Sequence, residues 1–152
     1  MAIAEARRRK PLGFSDQETH SVMLPSGATG AFQQFPRLTW EPEVIARIRE
    51  LLELEQGWDT YDGEPIDPTT AGYALKLLSR VRTAMTPEPV VVPLSNGGLQ
   101  FEWSINHSRL EIAVYAPYDS EVTELPAAAA PTTSSVYANV EGLARTMKRF
   151  FG

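Results

Sequence analysis

The 152-residue chain has no cysteine, only two histidines, and no uninterrupted apolar run long enough to cross a bilayer. The missing cysteine removes disulfides, thiolate zinc sites, iron–sulfur clusters and cysteine nucleophiles together. Serine-hydrolase, phosphate-loop and dinucleotide signatures are also absent, because Gly97-Gly98 joins two strand-like segments where a phosphate cradle would need a helix. The segment from Met1 to Lys10 has no apolar core behind its basic run, so no secretory leader is read and a cytoplasmic location is expected. A net charge of −5 argues against a folded surface that grips nucleic acid or an anionic membrane as a whole. With 43% hydrophobic residues the chain can bury one core of ordinary size.

Charge is unevenly placed. Residues 1–40 carry five basic and three acidic side chains, whereas residues 41–152 carry nine and sixteen. The first stretch is punctuated by Pro11, Gly13, Pro25, Gly27, Gly30 and Pro36, and no apolar period in it lasts long enough to define a helix. It reads as an extended, partly disordered arm over residues 1–38, followed by a single domain over 39–152.

Within the domain, Ile45, Ile48, Leu51 and Leu52 recur at helical spacing, with Thr39 as the cap, Pro42 in the first turn and Gly57 as the stop. Trp58 is then placed to fold back on Leu52. A second helix is expected after Asp67-Pro68, burying Ala71, Ala74, Leu75, Leu78 and Val81, with Ile66 stapled to Ala71 and an end before Pro87. Val90 to Leu94, Leu99 to Ile105 and the segment after Arg109 read as an antiparallel meander. A two-residue Asn96-Gly97 turn would pair Leu94 with Leu99 and Val92 with Phe101. The same device over Asn106-His107-Ser108-Arg109, reversing at His107-Ser108, would pair Ile105 with Leu110 and Trp103 with Ile112. Pro93 requires its strand to lie at an edge. Glu121 to Leu125 can add a fourth strand, Pro126 to Ser134 reads as a loop, and a last helix is expected from about Ser135 to Phe150. The fold class is therefore α+β: a three- or four-stranded antiparallel meander covered on one face by two or three helices, with an N-terminal arm.

The motifs Gly57-Trp58-Asp59, Tyr61, Pro65-Ile66-Asp67, Gly97-Gly98-Leu99-Gln100, Glu102-Trp103 and Leu110-Glu111-Ile112 resemble those of a family of small, largely uncharacterised bacterial and phage proteins. The resemblance spans roughly Leu51 to Val114. It implies the fold and lends no reaction, and the acidic Asp62-Gly63-Glu64 departs from the pattern.

Several residues are weighed for chemistry. Asp59, Asp62, Glu64 and Asp67 do not follow the ligand spacing of a calcium loop, so no metal and no cofactor are expected. Trp58 and Trp103 have packing positions and are read as structural. Glu102 and Glu111, with His107, are the conceivable players of a carboxylate-dependent hydrolase, standing as diagonal neighbours in the proposed register. Arg7, Arg8, Arg9 and Lys10 form the basic run of an alternative nucleic-acid reading. The leading expectation is a non-enzymatic protein-interaction module, binding a protein partner or a second copy and no membrane. Its contacts would be Leu12, Phe14, Val22 and Phe32 of the arm, and Gln100, Glu102, Arg109, Glu111 and Tyr115 of the open sheet face. An accessory role in a phage-defence, counter-defence or toxin-neutralising system follows by association.

Overall fold

The structure, a computed structural model, describes residues 40–136 and 139–152. All described elements belong to the unit Gln34–Gly152. The expected arm, its residues Arg7, Arg8, Arg9, Lys10, Leu12, Phe14, Val22 and Phe32, and the cap at Thr39 lie outside the described residues. Three helices, α1 (Glu41–Leu51), α2 (Pro68–Val81) and α3 (Val140–Phe151), accompany five strands. These are β1 (Val90–Pro93), β2 (Leu99–Ile105), β3 (Ser108–Ala116), β4 (Asp119–Leu125) and β5 (Thr132–Ser135). The sheet is an antiparallel meander in sequence order, so the α+β class holds. No helix among the described residues is long and apolar enough to cross a membrane.

α2 forms as its sequence demands: the Asp67 carboxylate accepts from the Thr70 N–H at 2.9 Å, and Pro68 occupies a position whose N–H has no helical partner. Its buried stripe includes Leu77, whereas Leu75 is only partly buried. α1 departs from expectation at both ends. Trp40 takes the N-cap position. The helix stops at Leu51, where Glu53 and Leu54 donate to carbonyls three residues back and tighten the last turn. Val44, Ile48 and Leu51 form its buried stripe, and Ile45 faces solvent. Gly57 does adopt a left-handed φ of 80°, but six residues later, where its N–H donates to the Gly63 carbonyl at 2.7 Å. α3 starts at Val140, later than expected, because Asn139 caps it by accepting from the Gly142 N–H at 2.7 Å.

Both tight turns depart from expectation, the first in length and the second in position. Between β1 and β2 the Gly97 N–H donates to the Leu94 carbonyl at 3.1 Å, and the Leu94 N–H donates to Gly98 at 2.9 Å. The loop is thus three residues, Ser95-Asn96-Gly97, closed by Gly97 at φ 83°. The extra residue slides the register by one, so Pro93 pairs with Leu99 and Val91 with Phe101. Val91 turns inward in place of Val92, and Val90 is left exposed. Between β2 and β3 it is Asn106 and His107, at φ 49° and 65°, that make the two-residue turn. Trp103 consequently pairs with Leu110 and Phe101 with Ile112. This slip of two residues keeps every side chain on its expected face. The expected Pro126–Ser134 loop is overturned in its second half, where Thr132–Ser135 pairs with β4.

One face of the sheet presents Leu99, Phe101, Leu110, Ile112 and Val114, all without solvent exposure, to the buried stripes of the three helices. Full burial of each such side chain contributes about 1.5–3 kcal/mol. Two indoles tie the α2–β1 connection to this core: Trp40 donates to the Thr86 carbonyl at 2.9 Å and Trp103 to the Pro87 carbonyl at 2.8 Å. The edges are treated differently. At β1, alternation from the Leu94–Gly98 pair points the backbone polar groups of Pro93 and Val91 away from β2, while the Val91 side chain stays in the core. Pro93 has no N–H to offer, and Arg47 of α1 reaches to 3.5 Å of the Val91 carbonyl. At β5 all four side chains are exposed, and alternation from the Val136 N–H to Ser120 carbonyl bond turns the Thr133 backbone outward.

A side chain at position 98 would place its Cβ 2.2 Å from the Val114 carbonyl oxygen, whereas at position 72 it would meet nothing within 4 Å. Gly98→Ala is expected to cost about 1–3 kcal/mol of unfolding free energy. Gly72→Ala, in the interior of α2, is expected to add about 0.5–1 kcal/mol. Urea titration of both variants checks the contrast.

Candidate interaction face

The face of the sheet turned away from the helices is polar. In the observed register Glu102 stands directly opposite Glu111, not diagonal to it, and Ser104 stands opposite Arg109. Two like charges facing each other across a strand pair repel. Arg109 resolves the conflict: its guanidinium lies 3.1 Å from a Glu102 oxygen and 2.9 Å from a Glu111 oxygen. The other Glu102 oxygen accepts from the Gln100 amide at 2.8 Å. On the next strand pair the Tyr115 hydroxyl donates to Glu121 at 3.2 Å, and Thr123 and Thr133 share a hydroxyl hydrogen bond of 2.9 Å. Partial burial and then the Glu121 carboxylate hold the Tyr115 phenol above its usual pKa, since both disfavour a second anion there.

Gln100, Glu102, Arg109, Glu111 and Tyr115 are therefore brought together on one face. Glu121, Thr123 and Thr133 join them without having been singled out from the sequence, although the alternation of β4 already carried Glu121 and Thr123. Val90 and Val92 extend the face at the β1 side, opposite Glu102 and Gln100. His107 occupies an exposed turn tip.

The acidic loop before α2 has an internal use. One Asp59 carboxylate oxygen accepts from the Tyr61 and Gly63 N–H groups, both at 2.9 Å, and these two bonds hold its pKa below the ordinary 3.8. The Trp58 indole donates to the Glu64 carbonyl at 3.0 Å and so closes this loop. Glu64 and Asp67 in turn donate their N–H groups to Ser95 and Gly97 at the β1–β2 turn, at 2.8 and 3.0 Å. Among the described residues no group of three or more His, Asp or Glu is arranged to hold a metal ion.

Removing the guanidinium in Arg109→Met leaves Glu102 and Glu111 unrelieved. A loss of about 0.5–1 kcal/mol is expected, and most of it should return in the double variant Arg109→Met/Glu111→Gln, read by chemical denaturation. Asp59 yields a pH test. Its depressed folded pKa means that its contribution is complete above 3.8 and disappears as pH falls through the lower folded value. Asp59→Asn should be less stable than the unchanged chain at neutral pH, and the gap should close below pH 3.8 in a thermal-melt series. No family model matches this chain, and neither does any curated protein or solved structure.

Proposed function

We propose that this chain is a non-enzymatic interaction module that receives a basic protein surface on the sheet face that none of the described helices covers. The observation that carries the reading is the placement of Glu102, Glu111 and Glu121 on one face with a single arginine among them. That arrangement leaves an excess of negative charge held in fixed geometry by Gln100, Arg109 and Tyr115. Fixed acidic groups speed the approach of lysine- and arginine-bearing partners and select against acidic ones. Val90 and Val92 at the margin supply apolar area that an entering side chain would cover. The arm residues Leu12, Phe14, Val22 and Phe32 belong to the proposal as a second contact element. A second copy of the chain is an alternative partner.

Engagement of both Glu102 and Glu111 by one guanidinium supports binding over a carboxylate-dependent hydrolase, in which one group must exchange its proton. The motif resemblance, spanning roughly Leu51 to Val114, is the support for an accessory role in a bacterial phage-defence, counter-defence or toxin-neutralising system.

The test is affinity purification of the full chain from its source cells beside the chain carrying Glu102→Lys and Glu121→Lys. The expected outcome is one stoichiometric partner, whose affinity for the variant, measured with both proteins purified, falls by about tenfold or more. A partner held equally well by both chains, or none at all in the presence of a monomeric protein, overturns the assignment to this face.

A further inference from the structure

A second surface differs from the acidic face in chemistry. Between α2 and the β3–β4 turn lies a cleft of about 700 Å³, whose walls include Gly72, Tyr73, Lys76 and Arg80 from the helix and Pro117 and Tyr118 from the turn. Gly72, Lys76 and Arg80 follow at four-residue spacing and so share one stripe of α2, with Tyr73 beside them. In a chain of net charge −5, this lining contains two cations and, among the described residues, no carboxylate. Neither Lys76 nor Arg80 forms an ion pair there, although Arg47, Arg82, Arg109 and Arg149 all do.

The aromatic wall is equally specific. Tyr118 is 67% exposed, and its ring centroid lies 5.1 Å from that of Tyr73 at an interplanar angle of 56°. Its φ of 65° is a left-handed conformation at a corner where glycine is the ordinary choice after proline. A bulky residue held there is strained, and strain of this kind concentrates where a side chain must be presented in one direction. Gly72 makes the same point from the other wall. Glycine inside a helix is destabilising relative to alanine, and no neighbouring atom excludes a Cβ at this position. Its bareness keeps the cleft open.

We propose that this cleft binds a nucleotide unit, with the base stacked on Tyr118 and the phosphate held by Lys76 and Arg80. Tyrosine faces accept any base, and an ammonium and a guanidinium one helical turn apart suit a phosphate. The unit can come from a free mononucleotide or from a single strand, and the same chemistry serves both. The inference is independent of the acidic sheet face.

Calorimetric titration of the full chain with adenosine and uridine monophosphates, and separately with a short single-stranded oligonucleotide, tests it. Tyr118→Ala and Arg80→Glu are each expected to weaken binding by roughly tenfold or more. Gly72→Leu should fill the cleft and abolish binding, with a melting temperature no lower than that of the unchanged chain, which separates site loss from misfolding. Saturation by mononucleotide with no gain from the strand assigns the free nucleotide as ligand. Binding of the strand alone, lost in the same variants, assigns a nucleic acid. Absence of binding by both probes overturns the proposal. So does binding that survives Gly72→Leu and Tyr118→Ala and disappears only when Arg7, Arg8, Arg9 and Lys10 are replaced by glutamine.

Discussion

The backbone at Gly97 and Gly98 is pressed from two sides, and the register of the sheet depends on it. A Cβ at position 97 would come within 2.9 Å of the Pro65 carbonyl, and one at 98 within 2.2 Å of the Val114 carbonyl. The Gly57-to-Asp67 loop closes on one side of this turn through the Glu64 and Asp67 N–H groups, and β3 lies on the other. A turn clamped in this way selects three loop residues over two, and the choice decides which of Val91 and Val92 enters the core. Trp58 and Asp59 act upstream of the same contact, since they shape the loop that supplies Glu64 and Asp67. Trp58, Asp59, Glu64, Asp67, Gly97 and Gly98 are thus parts of one docking joint.

From that joint follow two surfaces of opposite character. The sheet face gathers glutamates in pairs that a single arginine keeps from repelling each other. The cleft beside α2 gathers cations and tyrosines instead. Under the two proposals, separation of charge between these surfaces would let a partner's own charge select which surface it meets first. The core shared by sheet and helices has a mechanical role: residues such as Phe101 and Met147, with no exposure, hold both surfaces in fixed positions.

Much of this was legible in the chain, and the failures share a cause. The Asp67-Pro68 start of α2 and the alternation of β2 and β3 are local signals, strong enough to survive tertiary packing. The faces of Gln100, Glu102, Arg109, Glu111 and Tyr115 came out correctly because a two-residue slip in the second hairpin preserves parity. Asn96-Gly97 announced a turn but not its length, which the packing of Pro65 and Val114 decides from outside the segment. Asn106 and His107 in left-handed backbone carry no glycine to mark where the second turn sits, one residue before the expected His107-Ser108 reversal. Thr132 to Ser135 lacks the apolar alternation of a half-buried strand, because both of its faces are exposed; only the β propensity of threonine hinted at it. Leu77 was missed because α2 buries a stripe broader than a single line of contacts.

The two margins of the sheet have unequal consequences for the solution behaviour of the protein. Pro93 and Arg47 close off β1 against any incoming backbone, while β5 offers the outward groups of Thr133. Strand addition at β1 is thereby disfavoured relative to β5, because proline lacks the donor an incoming strand would need.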